Sequence, residues 1–323
     1  MSPSHPTETA LPSLIDEADR LRAFTPPFAF SAFFSPEDTL LCVCASEEAL
    51  YQLDGSAPRI AELTTGSGLV GLRMLQLNDS ARLAALDVDT IAVSVATLNA
   101  VRLGLSDRAR FTRADLWSDS TLETLRAFSP DLLVCNPPYV PEPPEQILQI
   151  EAGAGLDGTA HLERTLEIAS DITPQILALS WCSLSDPAKI ITLASRAGYG
   201  LDSLFIVVIA DGEYSGSVHD YLRTLPHAYI NEQRETLDAL ATDGSVRFAY
   251  LLMAGVFTRS DNDSGSAGLV QQICERFASE GLRSLASIRI PMPVKAWLLN
   301  RRDELELRVI LHGRPDNENS RRR

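Results

Sequence analysis

The sequence predicts an α/β fold, a mostly parallel sheet covered by helices on both faces. Three observations carry that expectation. From residue 37 onward, short apolar runs alternate with stretches of helical spacing. Four of the apolar runs end in residues that favour a loop over continued pairing: Thr64-Thr65-Gly66-Ser67-Gly68, Asp87-Val88-Asp89, Ala114-Asp115-Leu116 and Asn136-Pro137-Pro138-Tyr139. The strands and helices also keep the order in which right-handed crossovers build a parallel sheet.

Along the chain, Leu11 to Phe24 has the spacing of a short amphipathic helix. Residues 25–36 hold Pro26, Pro27 and Pro36 with Phe28, Phe30, Phe33 and Phe34, and read as an extended apron against a core. A helix is expected over Glu47 to Leu53, a strand over Arg59 to Leu63 and a helix over Leu69 to Leu77. Arg82 to Leu86, Ala109 to Thr112 and Asp131 to Cys135 are further strands, with a helix from Thr90 to about Arg102 between the first two. Beyond them come a strand (Ile176 to Cys182), a helix (Pro187 to Ala197) closed by Gly198, and strands at Leu204 to Ile209 and Arg247 to Val256. Val218 to Leu225 reads as a helical insertion, Asp261 to Gly268 as a linker and Leu269 to Ser279 as a helix. Ile288 to Leu311 fits neither period, and Asn317 to Arg323 is a polar tail. The expected organisation is an N-terminal extension (1–35), a core domain (36–257), a linker (258–268) and a C-terminal extension (269–323).

Composition narrows the function classes. The chain has 323 residues, 45% of them hydrophobic, and a net charge of −15. That field repels phosphate, so nucleic acid is disfavoured as a partner. No run approaches the roughly 18 apolar residues of a membrane span, and Met1-Ser2-Pro3-Ser4-His5-Pro6 lacks the basic start of a secretory signal. The five cysteines, at 42, 44, 135, 182 and 274, have no framework spacing and suit reduced thiols in a cytoplasmic protein. Cys42-Val43-Cys44 has no second pair at ligand spacing, so no metal site is expected. Oligomeric state leaves no mark on the sequence.

Chemistry is expected where strands end. Gly66 and Gly68 allow a tight turn and close backbone approach to a ligand before a helix N-terminus. With Gly71 they also fit the Gly-x-Gly-x-x-Gly pattern of a dinucleotide site, and a plain turn would look similar. Asp87, 25 residues after Glu62, stands where a carboxylate accepts both hydroxyls of a ribose. Asp115 could accept from the exocyclic amine of an adenine, with Leu116 and Val88 against the ring, or could simply cap a turn. The fourth loop is the most specific. Two prolines directly after a buried strand forbid further pairing and fix a rigid turn. There the Asn136 carboxamide oxygen and a backbone carbonyl can both accept from an incoming –NH2, whose nitrogen lone pair is then turned towards an electrophile. Tyr139 offers a flat face beside it.

This ordered set resembles the HemK/PrmC-type protein glutamine N5-methyltransferases, a class I S-adenosylmethionine-dependent family. The first loop of that family is similar to Glu62-Leu63-Thr64-Thr65-Gly66-Ser67-Gly68, its catalytic loop to Asn136-Pro137-Pro138-Tyr139, and its following acidic and glycine-rich element to Glu151 and Gly155-Leu156-Asp157-Gly158. The resemblance covers about residues 36–257. It implies a Rossmann-like, mostly parallel seven-stranded sheet, with S-adenosyl-L-methionine as cofactor. It places Glu62 near the methionine amino group, Gly66 and Gly68 on the cofactor backbone, Asp87 on the ribose and Asp115 at the adenine. Asn136 and the Pro137 carbonyl would hold the target amide, with Tyr139 packed on it. Thr64 departs from the family by standing where its first glycine would be, which sets a Cβ beside the methionine moiety. The implied activity is N-methylation of a side-chain amide of a protein, of the release-factor glutamine type. An RNA or DNA amino-group methyltransferase is the alternative, because the same tetrapeptide suits adenine N6 or guanine N2, and a non-catalytic scaffold of the same fold is the second.

Overall fold

The computed structural model describes residues 35–53, 57–260, 265–300 and 306–312, and within these the expected alternation is present. The helix Leu11 to Phe24, the phenylalanine-rich stretch through Phe34 and the tail from Asn317 lie outside the described residues. The strands are β1 (Arg59–Leu63), β2 (Arg82–Asp87), β3 (Ala109–Arg113), β4 (Leu132–Cys135), β5 (Ile176–Cys182), β6 (Tyr199–Ala210), β7 (Ala249–Arg259), β8 (Val294–Asn300) and β9 (Glu306–His312). They form one sheet in the order β3-β2-β1-β4-β5-β7-β6-β8-β9. β1 to β5 pair in parallel, while β7 runs antiparallel between β5 and β6.

The first seven strands are the seven expected for a Rossmann-like methyltransferase sheet. The stretch from Ile288, which has no clear period, supplies two more: β8 pairs in parallel with β6 and β9 returns antiparallel. The C-terminal extension thus continues the sheet at the β6 edge.

Each central strand buries both faces, so alternation sorts its side chains into two cores instead of inside and outside. In β5, Leu177, Leu179 and Trp181 join one core and Ile176, Ala178 and Cys182 the other. The first core takes the apolar stripes of α5 (Ala160–Ile172), α6 (Pro187–Arg196) and α10 (Ser266–Glu280) through Leu166, Ile190 and Phe277. The second takes α1 (Pro36–Gln52) and α2 (Leu69–Leu77) through Leu41 and Met74. α3 (Thr90–Leu103) starts at Asp89, whose carboxylate accepts from Ile91 N at 2.9 Å, and stops at left-handed Gly104.

Several elements differ from the sequence expectation. α1 begins at Pro36, eleven residues before Glu47, because Pro suits a first helical turn and Leu40, Leu41 and Val43 are buried. Cys42 and Cys44 therefore lie in a helix, where burial pushes both thiols up. Among the helices not anticipated are α4 (Asp119–Phe128), α5 and α9 (Arg234–Leu240). α4 buries only Thr121 and Leu125, too sparse a stripe to read. The insertion near Val218 resolves into α7 (Glu213–Ser217) and α8 (His219–Leu222), and α10 starts at Ser266, inside the expected linker. A last short helix, α11 (Leu282–Leu285), follows it.

Asn231 ties the C-terminal extension to the core. Its fully buried carboxamide donates to the carbonyls of Phe277 (2.9 Å) and Ala278 (3.1 Å) at the end of α10, while its oxygen accepts from Gln233 N. Asn231→Ala should cost about 1–3 kcal/mol, since buried carbonyls lose their donor. Urea unfolding of the two proteins measures the difference.

Candidate functional site

The chain leaves β1 for β2 and β3 on one side of the sheet, then returns to place β4 on the other side of β1. That reversal opens a crevice beyond the carboxyl ends of β1 and β4. A cleft of about 870 Å³ occupies it. The register sets Leu63 directly beside Cys135, so the glycine loop and the Asn-Pro-Pro-Tyr loop emerge as neighbours.

Of the residues singled out in the sequence, Thr64, Gly66, Asp87, Val88, Asp115, Leu116, Asn136, Pro137 and Tyr139 line the cleft. Glu62 and Gly68 do not. Glu62 lies behind the loop, 3% exposed, where it accepts from the Thr65 hydroxyl at 2.6 Å and from the Gly71 backbone. Gly68 packs against α3 and β3. A Cβ there would come within 2.8 Å of Ala96 Cβ and 2.9 Å of the Phe111 ring, at a backbone φ of +77°. These two residues shape the loop from the side away from the cleft.

Thr64 explains why a glycine suits its position. Its φ is +53°, in the left-handed region that disfavours a side chain. Its hydroxyl donates to Leu63 O at 2.6 Å and lies 3.6 Å from Cys135 Sγ, so the side chain is tied down beside β4.

Asp87 is positioned by the loop it faces. One carboxylate oxygen accepts from Gly66 N at 2.8 Å and the other from Asp89 N at 2.9 Å. Each oxygen keeps further acceptor capacity towards the cleft. Burial raises its pKa, opposed by those backbone donors. Asp115 accepts from Trp117 N at 3.0 Å, which turns the chain and presents Leu116 and Trp117 at the same end of the cleft.

In the fourth loop, Asn136 Oδ1 is buried and has no hydrogen-bond partner among the described residues. A buried acceptor without a donor is costly, and this one is free to take a hydrogen bond. Tyr139 carries a tether that the sequence does not suggest: its hydroxyl donates to Asp38 of α1. Burial and the adjacent Asp38 carboxylate push the phenol well above its ordinary value.

The chain after Tyr139 folds back on itself. Val140 N donates to Ala152 O (2.9 Å), Ala154 N to Val140 O (3.1 Å) and Glu142 N to Gly155 O (2.8 Å). Gly158 permits this closure, for a Cβ would lie 2.4 Å from Tyr139 O. Lys189 of α6 holds the segment with Nζ 2.6 Å from Asp157, 2.9 Å from Thr159 and 2.6 Å from Glu163.

Sequence reading missed several cleft residues. Trp117 lines it beside Asp115, and Asp38, His161, Tyr214 and Tyr250 line it from elements distant in sequence. Trp117 and His161 meet edge to face at 5.0 Å. Burial lowers the His161 pKa, keeping the ring neutral at neutral pH, and its Nδ1 is buried without a partner among the described residues. Trp117 could have been suspected beside Asp115; His161 has no local signal. Among the described residues there is no cluster of metal-ligating side chains, and no helix is long and apolar enough to cross a membrane.

Residues 45–162 match the family model of the methyltransferase small domain. The release factor glutamine methyltransferase of Chlorobaculum tepidum is 39% identical over 118 residues, 36% of this chain and 40% of that protein. The human MTRF1L release factor glutamine methyltransferase is 30% identical over 206 residues, covering 62% and 53%. A tRNA1(Val) (adenine(37)-N6)-methyltransferase of a Flavobacteriaceae bacterium is 32% identical over 124 residues, covering 38% and 48%. The chain spans about half the length, or less, of each.

Glu62 makes a further consequence measurable. Burial pushes its carboxyl up to about 7, against the pull of Thr65 and Gly71. Its native pKa therefore exceeds the 4.5 of a free carboxyl, and between those values the folded state binds more protons. Stability from this group is thus lost as pH rises from about 4.5 to about 7. Glu62→Gln should remove that loss. The unfolding free energy of the variant relative to wild type should rise by about 3 kcal/mol between about pH 4.5 and about pH 8, read by urea unfolding at each.

Proposed function

We propose that the chain, whose residues 45–162 match the model of the methyltransferase small domain, is an S-adenosylmethionine-dependent N-methyltransferase acting on a side-chain amide of a protein, a glutamine of the release-factor type. The observation that carries this reading is the buried, partnerless oxygen of Asn136 at the head of a rigid Asn-Pro-Pro-Tyr loop. An –NH2 group supplies the donor that this oxygen lacks. The relatives named as release factor glutamine methyltransferases favour the amide over a nucleobase amine.

The residues present suit the cofactor. Asp87 would accept from ribose hydroxyls with the capacity left after Gly66 and Asp89. Val88, Leu116 and Trp117 supply apolar walls for an adenine, with Asp115 at its polar edge. Gly66 and Thr64 would flank the methionine moiety, and Glu62 would act through the loop rather than by contact. When bound, S-adenosyl-L-methionine supplies an activated methyl group. The protein's own task is then placement. Asn136 Oδ1 and the Pro137 carbonyl would accept both N–H groups of the amide, orienting the nitrogen and removing its water. The fixed prolines and the Tyr139–Asp38 tether hold that pair of acceptors still. Alignment of this kind lowers a barrier without a strong base. The unit carrying the reaction is 36–257, with the C-terminal strands as an appendage to its sheet.

Incubation of a cell extract with methyl-labelled S-adenosylmethionine tests the reading. Wild type should transfer label to a protease-sensitive, nuclease-resistant fraction, and Asn136→Ala should lower the rate by at least about a hundredfold. Asp87→Ala should instead weaken cofactor binding by about ten- to a hundredfold in calorimetry, as expected on losing a charged hydrogen-bond acceptor. Label in the nuclease-sensitive fraction would assign a nucleic-acid amine instead.

A further inference from the structure

One wall of the cleft mouth is the segment 142–156, and it departs from the usual rule for exposed loops. Ile147, Ile150 and Leu156 are 92%, 64% and 60% exposed, and Ile150 reaches into the cleft. These side chains are held outward by a polar scaffold. Glu142 accepts from Leu148 N at 2.8 Å. Tyr214 of α7 donates to Glu151 at 2.9 Å, and Tyr221 of α8 donates to Leu156 O at 2.9 Å. The segment is thus braced against α7 and α8 with its apolar groups facing solvent. Several large apolar side chains together at the mouth of a cleft mark a contact surface.

The same rim is acidic. No Lys or Arg occurs from residue 127 to 163, or from 197 to 222, the two stretches that supply it. Glu145 and Glu213 are exposed, and Glu151 lines the cleft. The nearby cations are already engaged: Arg247 with Asp211 at 3.0 Å, and Lys189 with Asp157 and Glu163. Such a surface repels phosphate and attracts Lys and Arg.

We propose that this rim docks the acceptor, and that the acceptor is a protein segment carrying basic side chains beside an apolar one. The apolar residue would rest on Ile147 and Leu156 while the basic residues face Glu145 and Glu213. Ile150 and Glu151 continue from the rim into the cleft, so the segment is delivered to Asn136. This extends the amide-transfer reading to the choice of acceptor and rests on it.

Fluorescence anisotropy with the full chain tests the rim apart from the chemistry. The probe is a short labelled peptide with glutamine flanked by leucine and arginines; the control carries glutamate for each arginine. The basic peptide should bind at least about tenfold more tightly than the acidic one. Ile147→Asp should weaken basic-peptide binding by about tenfold, and Glu145→Lys should narrow the preference by strengthening the acidic peptide. Both residues lie outside the cleft lining, so S-adenosylmethionine affinity and kcat should be unchanged while KM rises. Equal affinity for both peptides, or variants without effect on KM, would overturn the proposal. So would single-stranded RNA that competes for the rim. A basic peptide that binds with the stated preference but accepts no methyl group would uphold the rim and sink the amide-transfer reading. Transfer that ignores the variants would do the reverse.

Discussion

Parallel pairing of β1 with β4 is the contact on which the site depends. The two strands are separated in sequence by the whole β2–β3 excursion, yet their register puts Leu63 against Cys135. Everything chemically distinctive follows from that one alignment. The glycine loop leaves β1 and the proline loop leaves β4 at the same height, and Thr64 Oγ1 approaches Cys135 Sγ across the gap. A slip of one residue would turn Asn136 to the opposite face. The strands resist such a slip because both of their faces are buried, Leu133 and Cys135 in one core and Leu132 and Val134 in the other.

Rigidity around Asn136 is assembled from parts that share little sequence proximity. Prolines fix the loop from within, Asp38 holds Tyr139 from α1, and Lys189 holds the returning segment from α6. The Asp38 and Lys189 contacts also satisfy buried or half-buried polar groups of the cleft walls. Within that loop the oxygen of Asn136 is buried and left without a donor. An unsatisfied acceptor persists only where the surrounding structure over-determines its position. The buried carboxyl of Glu62 is a second polar group placed against its preference, and it stabilises the loop by hydrogen bonds at the cost of desolvation.

The fold was largely legible because its signals are local. β1, α2 and β5 fall where apolar period and turn residues place them. The failures are equally physical. α4 buries only two side chains, α5 directly follows turns at Gly155 and Gly158, and β8 draws its stability from pairing with β6. Strand pairing at a sheet edge depends on the partner more than on the segment, which is why Ile288 to Leu311 gave no clear period. The place of Glu62 and Gly68 in the loop suggests ligand contact, whereas the Glu62 carboxylate turns to Thr65 and the Gly68 backbone packs against Ala96 and Phe111.

The sequence alone determined the chemistry of the cleft floor. Asn136-Pro137-Pro138-Tyr139, the glycine loop and Asp87 are each short, local arrangements in which backbone restriction and side-chain type act within a few residues. Only the tertiary structure decided who stands around them. Tyr139 meets Asp38 across 101 residues, and Trp117 meets His161 across α4, β4 and the loop that follows. The mouth likewise joins two segments far apart in the chain, through hydrogen bonds from Gln146 to Ser217 and from Tyr214 to Glu151. Those neighbours are chosen by strand order and helix packing, which are properties of the whole sheet and leave no trace in any single stretch of sequence.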